Sequence, residues 1–241
     1  MTIAQHRTGL VADVRTQGYA IWPGFLDARA TEQLREHTTR LAEGELANHY
    51  PKSTRVWDLF RHGEPFVDLL VLPAFTAVLV ELLGENHLLS DFSLNVVHPR
   101  QPVDGWHIDY PYNEMAARVS GSLLGLQCVL PLSPFHSSNG ATELVPGSHA
   151  RLSLPEPGQV ANQVVFDTEP GSLLIMAAAT RHRSGFNTSA HPRSAILLSF
   201  VERWVRPMND PPESGPWGRT EALRVLLGMQ RPPETINGVL I

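Results

Sequence analysis

The sequence predicts a mainly β protein, a sandwich or barrel, backed by a layer of helices from its N-terminal third. Three observations carry this. Before about residue 87, the two long apolar stretches repeat at helical spacing. From residue 88 the texture changes to short apolar runs separated by Pro, Gly, Ser and Asn. The length, 241 residues, exceeds an average domain but is ordinary for one all-β unit.

"GYAIWPGFL" predicts a short strand near the start. "DARATEQLREHTTRLAEG" predicts a helix, with Asp27 as N-cap, Leu34, His37 and Leu41 on one face, and Gly44 as the residue that ends it. "EPFVDLLVLPAFTAVLVELLG" is helical by apolar spacing and stops at Gly84; Pro73 either splits it or starts a second helix. "LLSDFSLNVVHP" then alternates, with Phe92, Leu94 and Val96 on one side and Ser93, Asn95 and Val97 on the other. "GSLLGLQCVLPL", "GATELVPGSH", "GSLLIMAAA" and "RSAILLSFVERW" follow as strands. Several are apolar on both faces, as strands at a sandwiched centre are. "RPMNDPPESGPWG" is a loop and "RTEALRVLLGMQ" a last short helix. No repeat interrupts the pattern. The expected organisation is one domain over 1–241, with a helical layer about 1–87, a barrel about 88–205, and a C-terminal loop and short helix over 206–241.

Apolar residues at 42% and charged residues at 18% describe a folded globular chain. A net charge of −5 without a charged tail argues against nucleic acid and anionic membrane as partners. The N-terminus lacks a basic segment followed by an apolar one, and no run of about 18 apolar residues exists. A cytoplasmic protein, monomer or homodimer, acting on a small molecule is expected. The single cysteine, Cys128, lies in an apolar run and is expected to be a buried structural thiol.

"GWHIDYPYN" sets His107 and Asp109 two positions apart between aromatics. On a strand they would share a face. Alone, the pair is a weak signal. Asp109 capping the turn before Pro111, with His107 packed beside Trp106, would explain it equally well. Much later, "RHRSGFNTSAHPR" brings His182 and Arg193. A third ligand from another strand would complete a 2-His-1-carboxylate set, which leaves one face of an octahedral ion open, as non-heme Fe(II) oxygenases require.

The motifs "WHID", "LQCVLPL", "NGATELVPGSHARL" and "HRSGFNTSAHPR" together resemble the phytanoyl-CoA dioxygenase family of Fe(II)/2-oxoglutarate-dependent oxygenases, over a span from "GYAIWPGFL" to about residue 204. The resemblance implies a double-stranded β-helix, a jelly-roll or cupin-like barrel, with Fe(II), the cosubstrate 2-oxoglutarate and O₂ at its mouth. It implies His107, Asp109 and His182 as metal ligands, and Arg193 as the partner of the distal carboxylate of 2-oxoglutarate. It implies further cosubstrate contacts from Ser184, Gln127, Thr142 and Asn95. Halogenating relatives carry a small residue at the carboxylate position, so Asp109 argues against halogenation. Ser148, His149 and Asn187 are read as loop-stabilising residues, with His149 no ligand. Tyr110, Tyr112, Asn113, Arg118, His136, Arg203 and Trp204 are expected to line the substrate pocket.

The implied reaction is oxidation, chiefly hydroxylation, of an unactivated C–H bond of a small metabolite, with release of succinate and CO₂. No extended basic surface offers itself to a CoA handle. The near absence of lysine, with Lys52 alone, fits a GC-rich bacterial genome and hence secondary metabolism. Two alternatives stay open: a non-oxidative cupin-like metalloenzyme on Zn²⁺, either isomerase or hydrolase, and a catalytically silent ligand-binding barrel.

Overall fold

The computed structural model describes residues 3–102, 105–116, 121–151, 162–230, 235–236 and 239–240. The first helix, α1 (Ile3–Gln17), buries Leu10, Val11 and Val14. Nothing in the sequence marks it: it has no acidic first turn, and its apolar patch is short; Arg7 and Arg15 add contacts to Glu81 of a later helix. After β1 (Tyr19–Trp22), α2 (Ala28–Glu43) starts where the Asp27 side chain accepts from Ala30 N at 2.8 Å. Gly44 ends α2 in an extended conformation rather than a left-handed one. Two short strands, β2 (Asn48–His49) and β3 (Ser53–Val56), come next. The apolar stretch after them is two helices, α3 (Glu64–Leu70) and α4 (Pro73–Leu83), because Pro73 occupies the first turn of α4, where its missing N–H costs nothing.

The remaining strands are β4 (Leu88–Val97), β5 (Gly125–Pro131), β6 (Thr142–Leu144), β7 (Val164–Val165), β8 (Leu173–Ala177), β9 (His182–Ser184) and β10 (Arg193–Val201). The helix α5 (Glu221–Leu226) and the pair β11 (Thr235–Ile236) and β12 (Val239–Leu240) follow. One antiparallel sheet runs β1-β8-β5-β10-β4-β3-β2, and a second runs β7-β6-β9. Together they form the jelly-roll barrel. β1, the strand expected in "GYAIWPGFL", extends the large sheet on one side, and β2 and β3, from the stretch expected to be helical, extend it on the other. The short, partly polar sequences of β2 and β3 hide them from a periodicity argument.

The alternation in the sequence sets the two faces of the large sheet. Phe92 and Leu94 of β4, Leu126 and Cys128 of β5, Ile175 of β8, and Leu198 and Phe200 of β10 join one core with the helices. Phe92 meets Phe66 of α3 edge-on, and Phe200 meets Phe75 of α4. Each such ring buried from water contributes about 1.5–3 kcal/mol. Burial among these residues pushes the Cys128 thiol well above its ordinary range, so it stays protonated. The opposite face holds Val129, Leu174, Met176 and Ala195, which pack on Ala141, Leu144 and Phe166 to close the barrel. The same face carries Asp91, Asn95, Gln127, Arg193 and Ser199, which line a cavity between the sheets.

Among the described residues no single helix is long and apolar enough to cross a membrane. The bent pair α3–α4 reaches that length and apolarity together, but its Phe66, Leu70, Phe75 and Leu79 are buried in the core.

His87, buried between α4 and β4, has Nδ1 against Gly84 O at 2.8 Å and its ring edge-on to Phe200. Burial holds its pKa below the ordinary value. The unfolded chain therefore takes up the proton first, and stability falls as pH drops through about 6.5. Urea denaturation between about pH 7.5 and about pH 5.5 should show the parent losing more stability than His87→Gln. Parallel losses would contradict this.

Candidate active site

His107 and Asp109 do not sit in a regular strand. His107 makes one isolated bridge to His182, the first residue of β9. His107 N donates to His182 O at 3.1 Å, and His182 N donates to His107 O at 3.0 Å. Asp109 N donates to Ala178 O at 2.7 Å, just past β8. These bonds bring two distant segments to one point.

The side chains converge there. His107 Nδ1 faces Gly105 O at 3.0 Å, and His182 Nδ1 faces Thr180 O at 2.9 Å. A ring nitrogen facing a carbonyl carries the proton, so each Nε2 keeps a free lone pair. His107 Nε2 lies 3.7 Å from Asp109 Oδ1, and His182 Nε2 lies 3.3 Å from Asp109 Oδ2. One ligand atom from each residue falls within 4.8 Å of the others. Burial lowers the His182 pKa, as does the neighbouring His107, against the opposing pull of Asp109. A neutral imidazole is the form that binds metal. Two imidazoles and one carboxylate, with no thiolate, suit a divalent ion such as Fe(II).

The scaffold around the site is tight. Gly140 has φ +81°, and a Cβ there would lie 2.8 Å from Gly185 O; Gly185 in turn sits against Ala141 O. The glycines of the "NGAT" and "HRSG" motifs are thus required for the contact between the chain before β6 and the end of β9. Arg183, next to His182, lays its guanidinium 4.7 Å from the ring centre of Trp106, next to His107, and bonds Glu143 Oε2 at 2.8 Å. Nothing in the sequence singles out this clasp. Ser148 bonds Val145 O and Arg181 N, His149 Nε2 lies 3.1 Å from Arg15 O, and Asn187 ties Ser189 to His191. All three tie loops.

The cavity beside the triad measures about 310 Å³. Arg193 lies in its wall at 3% exposure, with Nε unbonded and Nη2 3.5 Å from Ser184 Oγ. Its guanidinium rests 4.2 Å over the Phe135 ring. Among the described residues no carboxylate pairs with it. Burial, helped by the charge of Arg55, pulls its pKa down to about 9. A buried cation in this state calls for an anion, and a dicarboxylic acid can provide one. Thr142, opposite Ser184 across the small sheet, lines the cavity with Gln127 and Asn95, and the buried Asn95 Oδ1 also has no partner.

Tyr110 and Asn113 reach the cavity wall. Four other expected pocket residues do not. Tyr112 is 1% exposed, with its hydroxyl bonded to Ser122 O and Leu124 N, because the turn at 112–114 points it into the core. His136 pairs with Asp167 outside the cavity. Arg203 donates to Val225 O and Gln230 O and so holds the C-terminal segment. Trp204 is 70% exposed and bonds Glu202. Closeness in sequence to the triad or to β10 does not fix side-chain direction. Arg118 lies outside the described residues. The wall also includes Arg55, Trp57, Asp91, Arg183, Ser199 and Met208. Of these, Asp91 and Ser199 share the parity of Asn95 and Arg193 on their strands, the signal that would have found them.

The profile of a family described as phytanoyl-CoA dioxygenase (PhyH) matches residues 14–195. An uncharacterized protein of Mycobacterium bovis is 26% identical over 208 residues, 80% of this chain and 74% of that one. The multifunctional dioxygenase prhA of Penicillium brasilianum is 30% identical over 138 residues, 52% of this chain and 45% of its own. The epimerase SnoN, solved in complex with Fe³⁺, alpha ketoglutarate and nogalamycin RO, superposes with a TM-score of 0.69 at 20% identity, covering 86% of this chain and 88% of that one. HygX from Streptomyces hygroscopicus, solved with nickel, 2-oxoglutarate and hygromycin B, gives 0.67 at 15% identity over 83% and 88%. These likenesses show the fold.

Two outcomes follow from the geometry. Replacing His107, Asp109 or His182 by Ala should lower ferrous affinity by about 100-fold or more, read by anaerobic equilibrium dialysis, with the circular dichroism spectrum kept. Retained affinity in the His182 variant would contradict a shared ion. Gly140→Ala should cost about 1–3 kcal/mol in urea denaturation, from the positive φ and the contact with Gly185 O; a change below about 0.5 kcal/mol would contradict it.

Proposed function

Because the chain belongs to the phytanoyl-CoA dioxygenase family, we propose that it is an Fe(II)/2-oxoglutarate-dependent enzyme that hydroxylates an unactivated C–H bond of a small metabolite. The observation that carries this reading is the joint placement of the His107–Asp109–His182 set and the unpaired, buried Arg193 in one cavity. A metal site alone would serve an isomerase or hydrolase on zinc equally well. The buried guanidinium favours the oxygenase, because it supplies the counter-charge for the far carboxylate of 2-oxoglutarate.

When bound, Fe(II) with 2-oxoglutarate and O₂ supplies the oxidising power, and 2-oxoglutarate leaves as succinate and CO₂. The chain's share is positioning. Gly105 O and Thr180 O orient the two imidazoles through Nδ1. Arg193 grips the cosubstrate with parallel N–H donors, a geometry Lys does not copy, and Ser184 adds a hydroxyl beside it. Thr142, Gln127 and Asn95 offer polar groups along the same wall, and Tyr110 and Asn113 face the space left for substrate. Burial of His182 and Arg193 in the cavity wall limits water around the reacting centre.

Bacterial secondary metabolism is the setting that fits best. Similar proteins include fungal multifunctional dioxygenases and structures that hold or serve nogalamycin and hygromycin B. A cavity of about 310 Å³ suits part of a small scaffold. Because an epimerase and a carbocyclase are among the structural neighbours, the product decides the reaction type. Hydroxylation adds one oxygen atom from ¹⁸O₂, epimerisation leaves the mass unchanged, and ring closure removes two hydrogens.

Anaerobic addition of 2-oxoglutarate to Fe(II)-loaded protein should produce a visible charge-transfer band; its absence would favour the non-oxidative reading. Arg193→Lys should raise the KM for 2-oxoglutarate by about 10- to 100-fold, measured by succinate release, with Asp109→Ala as the inactive control. An unchanged KM would remove Arg193 from the cosubstrate site.

A further inference from the structure

One buried carboxylate in the cavity lies outside the candidate metal set of His107, Asp109 and His182. Asp91 is 8% exposed and lines the same cavity as the triad. Its Oδ2 accepts from Ser93 Oγ at 2.8 Å, and its Oδ1 accepts from Asn209 Nδ2 at 3.2 Å, both neutral donors. Burial pushes its pKa up, while those two donors and the charge of Arg55 pull it down. A carboxylate taken this far from water is costly unless further donors reach it.

Register locates Asp91 relative to the two ends of the site. Across the large sheet, Gln127 of β5 pairs with Ser199 of β10, and Ser199 pairs with Asp91 of β4. This row lies at the triad's end of the barrel. Asp109 N bonds Ala178 O, and Ala178 N bonds Gly125 O, two residues before Gln127. Arg193 sits six residues from Ser199 along β10, about 20 Å at ~3.3 Å per residue. The Arg193 guanidinium reaches back to Ser184, two residues from His182 on β9, so a five-carbon diacid held by Arg193 and the triad lies along β9 and leaves the Asp91 end free. At that end the rim carries Trp57 and Met208, exposed by 39% and 57%, which offer an apolar lip above a polar floor.

We propose that Asp91 is the substrate-orienting acceptor of this site, taking an ammonium or hydroxyl donor carried on a ring scaffold that rests against Trp57 and Met208. The inference rests on the oxygenase reading, since it needs the cosubstrate at the Arg193 end. It makes Asp91 a determinant of substrate choice. Ser199, paired with Asp91 across the sheet, faces the same ligand.

The test uses the full chain loaded with Fe(II) and 2-oxoglutarate. Cyclic amines and cyclic alcohols, each paired with its N-acetyl or O-methyl counterpart, are screened for succinate release. Compounds with a free donor should support release, and their capped counterparts should not. Asp91→Asn should raise the KM of each active compound, by about 100-fold for an ammonium and about 10-fold for a hydroxyl. Equal activity of capped and free forms, an unchanged KM in Asp91→Asn, or silence of every donor-bearing compound would overturn the proposal. The capped pairs on the parent protein keep it testable should Asp91→Asn fold poorly. The anaerobic charge-transfer band, read in every parent sample, separates the two failures. A band with no dependence on the donor sinks only the Asp91 assignment, whereas no band sinks the oxygenase reading beneath it.

Discussion

The peptide hydrogen bonds exchanged between His107 and His182 are the constraint on which the site depends. They form an isolated bridge, outside any longer ladder, between a loop that follows β4 and the first residue of β9. Without them, among the described residues, the "HID" segment would keep the Asp109–Ala178 backbone bond to the sheet, and the two imidazoles would have no fixed separation. The side chains next to the bridge reinforce it. Trp106 and Arg183 stack outside it, and Glu143 holds Arg183 from the neighbouring strand. A metal ion adds a further tie between the same segments, so metal binding and loop order support one another.

The second constraint is the sorting of side chains across the large sheet. Its outer face meets the helices through Phe, Leu and Ile, and that apolar burial supplies much of the fold's stability. The stability gained there allows the inner face to keep Asp91, Asn95, Arg193 and Ser199, which would be poor core residues. The buried guanidinium of Arg193 and the unpartnered Asn95 Oδ1 are the cost of a preformed site, and a ligand that satisfies them offsets it.

Much of this was legible in the sequence, for reasons that differ by residue. From Asp91 to Val97 the alternation separates an apolar face from a polar one, because successive side chains on a strand point to opposite faces; a register shift beside Asp91 breaks it, so Leu89 joins the same core as Phe92 and Leu94. Asp27, Pro73 and Gly84 marked helix ends because each satisfies or releases particular backbone groups. The His–x–Asp and His–x–Ser–Gly motifs pointed to a shared centre only through resemblance, since their meeting depends on a bridge that spacing does not encode. The strands β2 and β3 were too short and polar to show a period. The pocket wall is the part least encoded by local sequence. Tyr112, His136, Arg203 and Trp204 are near the site in sequence but turned elsewhere by a turn, an ion pair or a loop contact. Asp91 and Ser199 were within reach of the parity argument that placed Asn95.

Anomalous diffraction at the iron edge, from anaerobic crystals grown with Fe(II) and 2-oxoglutarate, tests the central claim most directly. The account predicts one iron peak at bonding distance from His107 Nε2, His182 Nε2 and an Asp109 oxygen, with the distal carboxylate of 2-oxoglutarate on Arg193. Iron bound without His182, or 2-oxoglutarate lying away from Arg193, would contradict it.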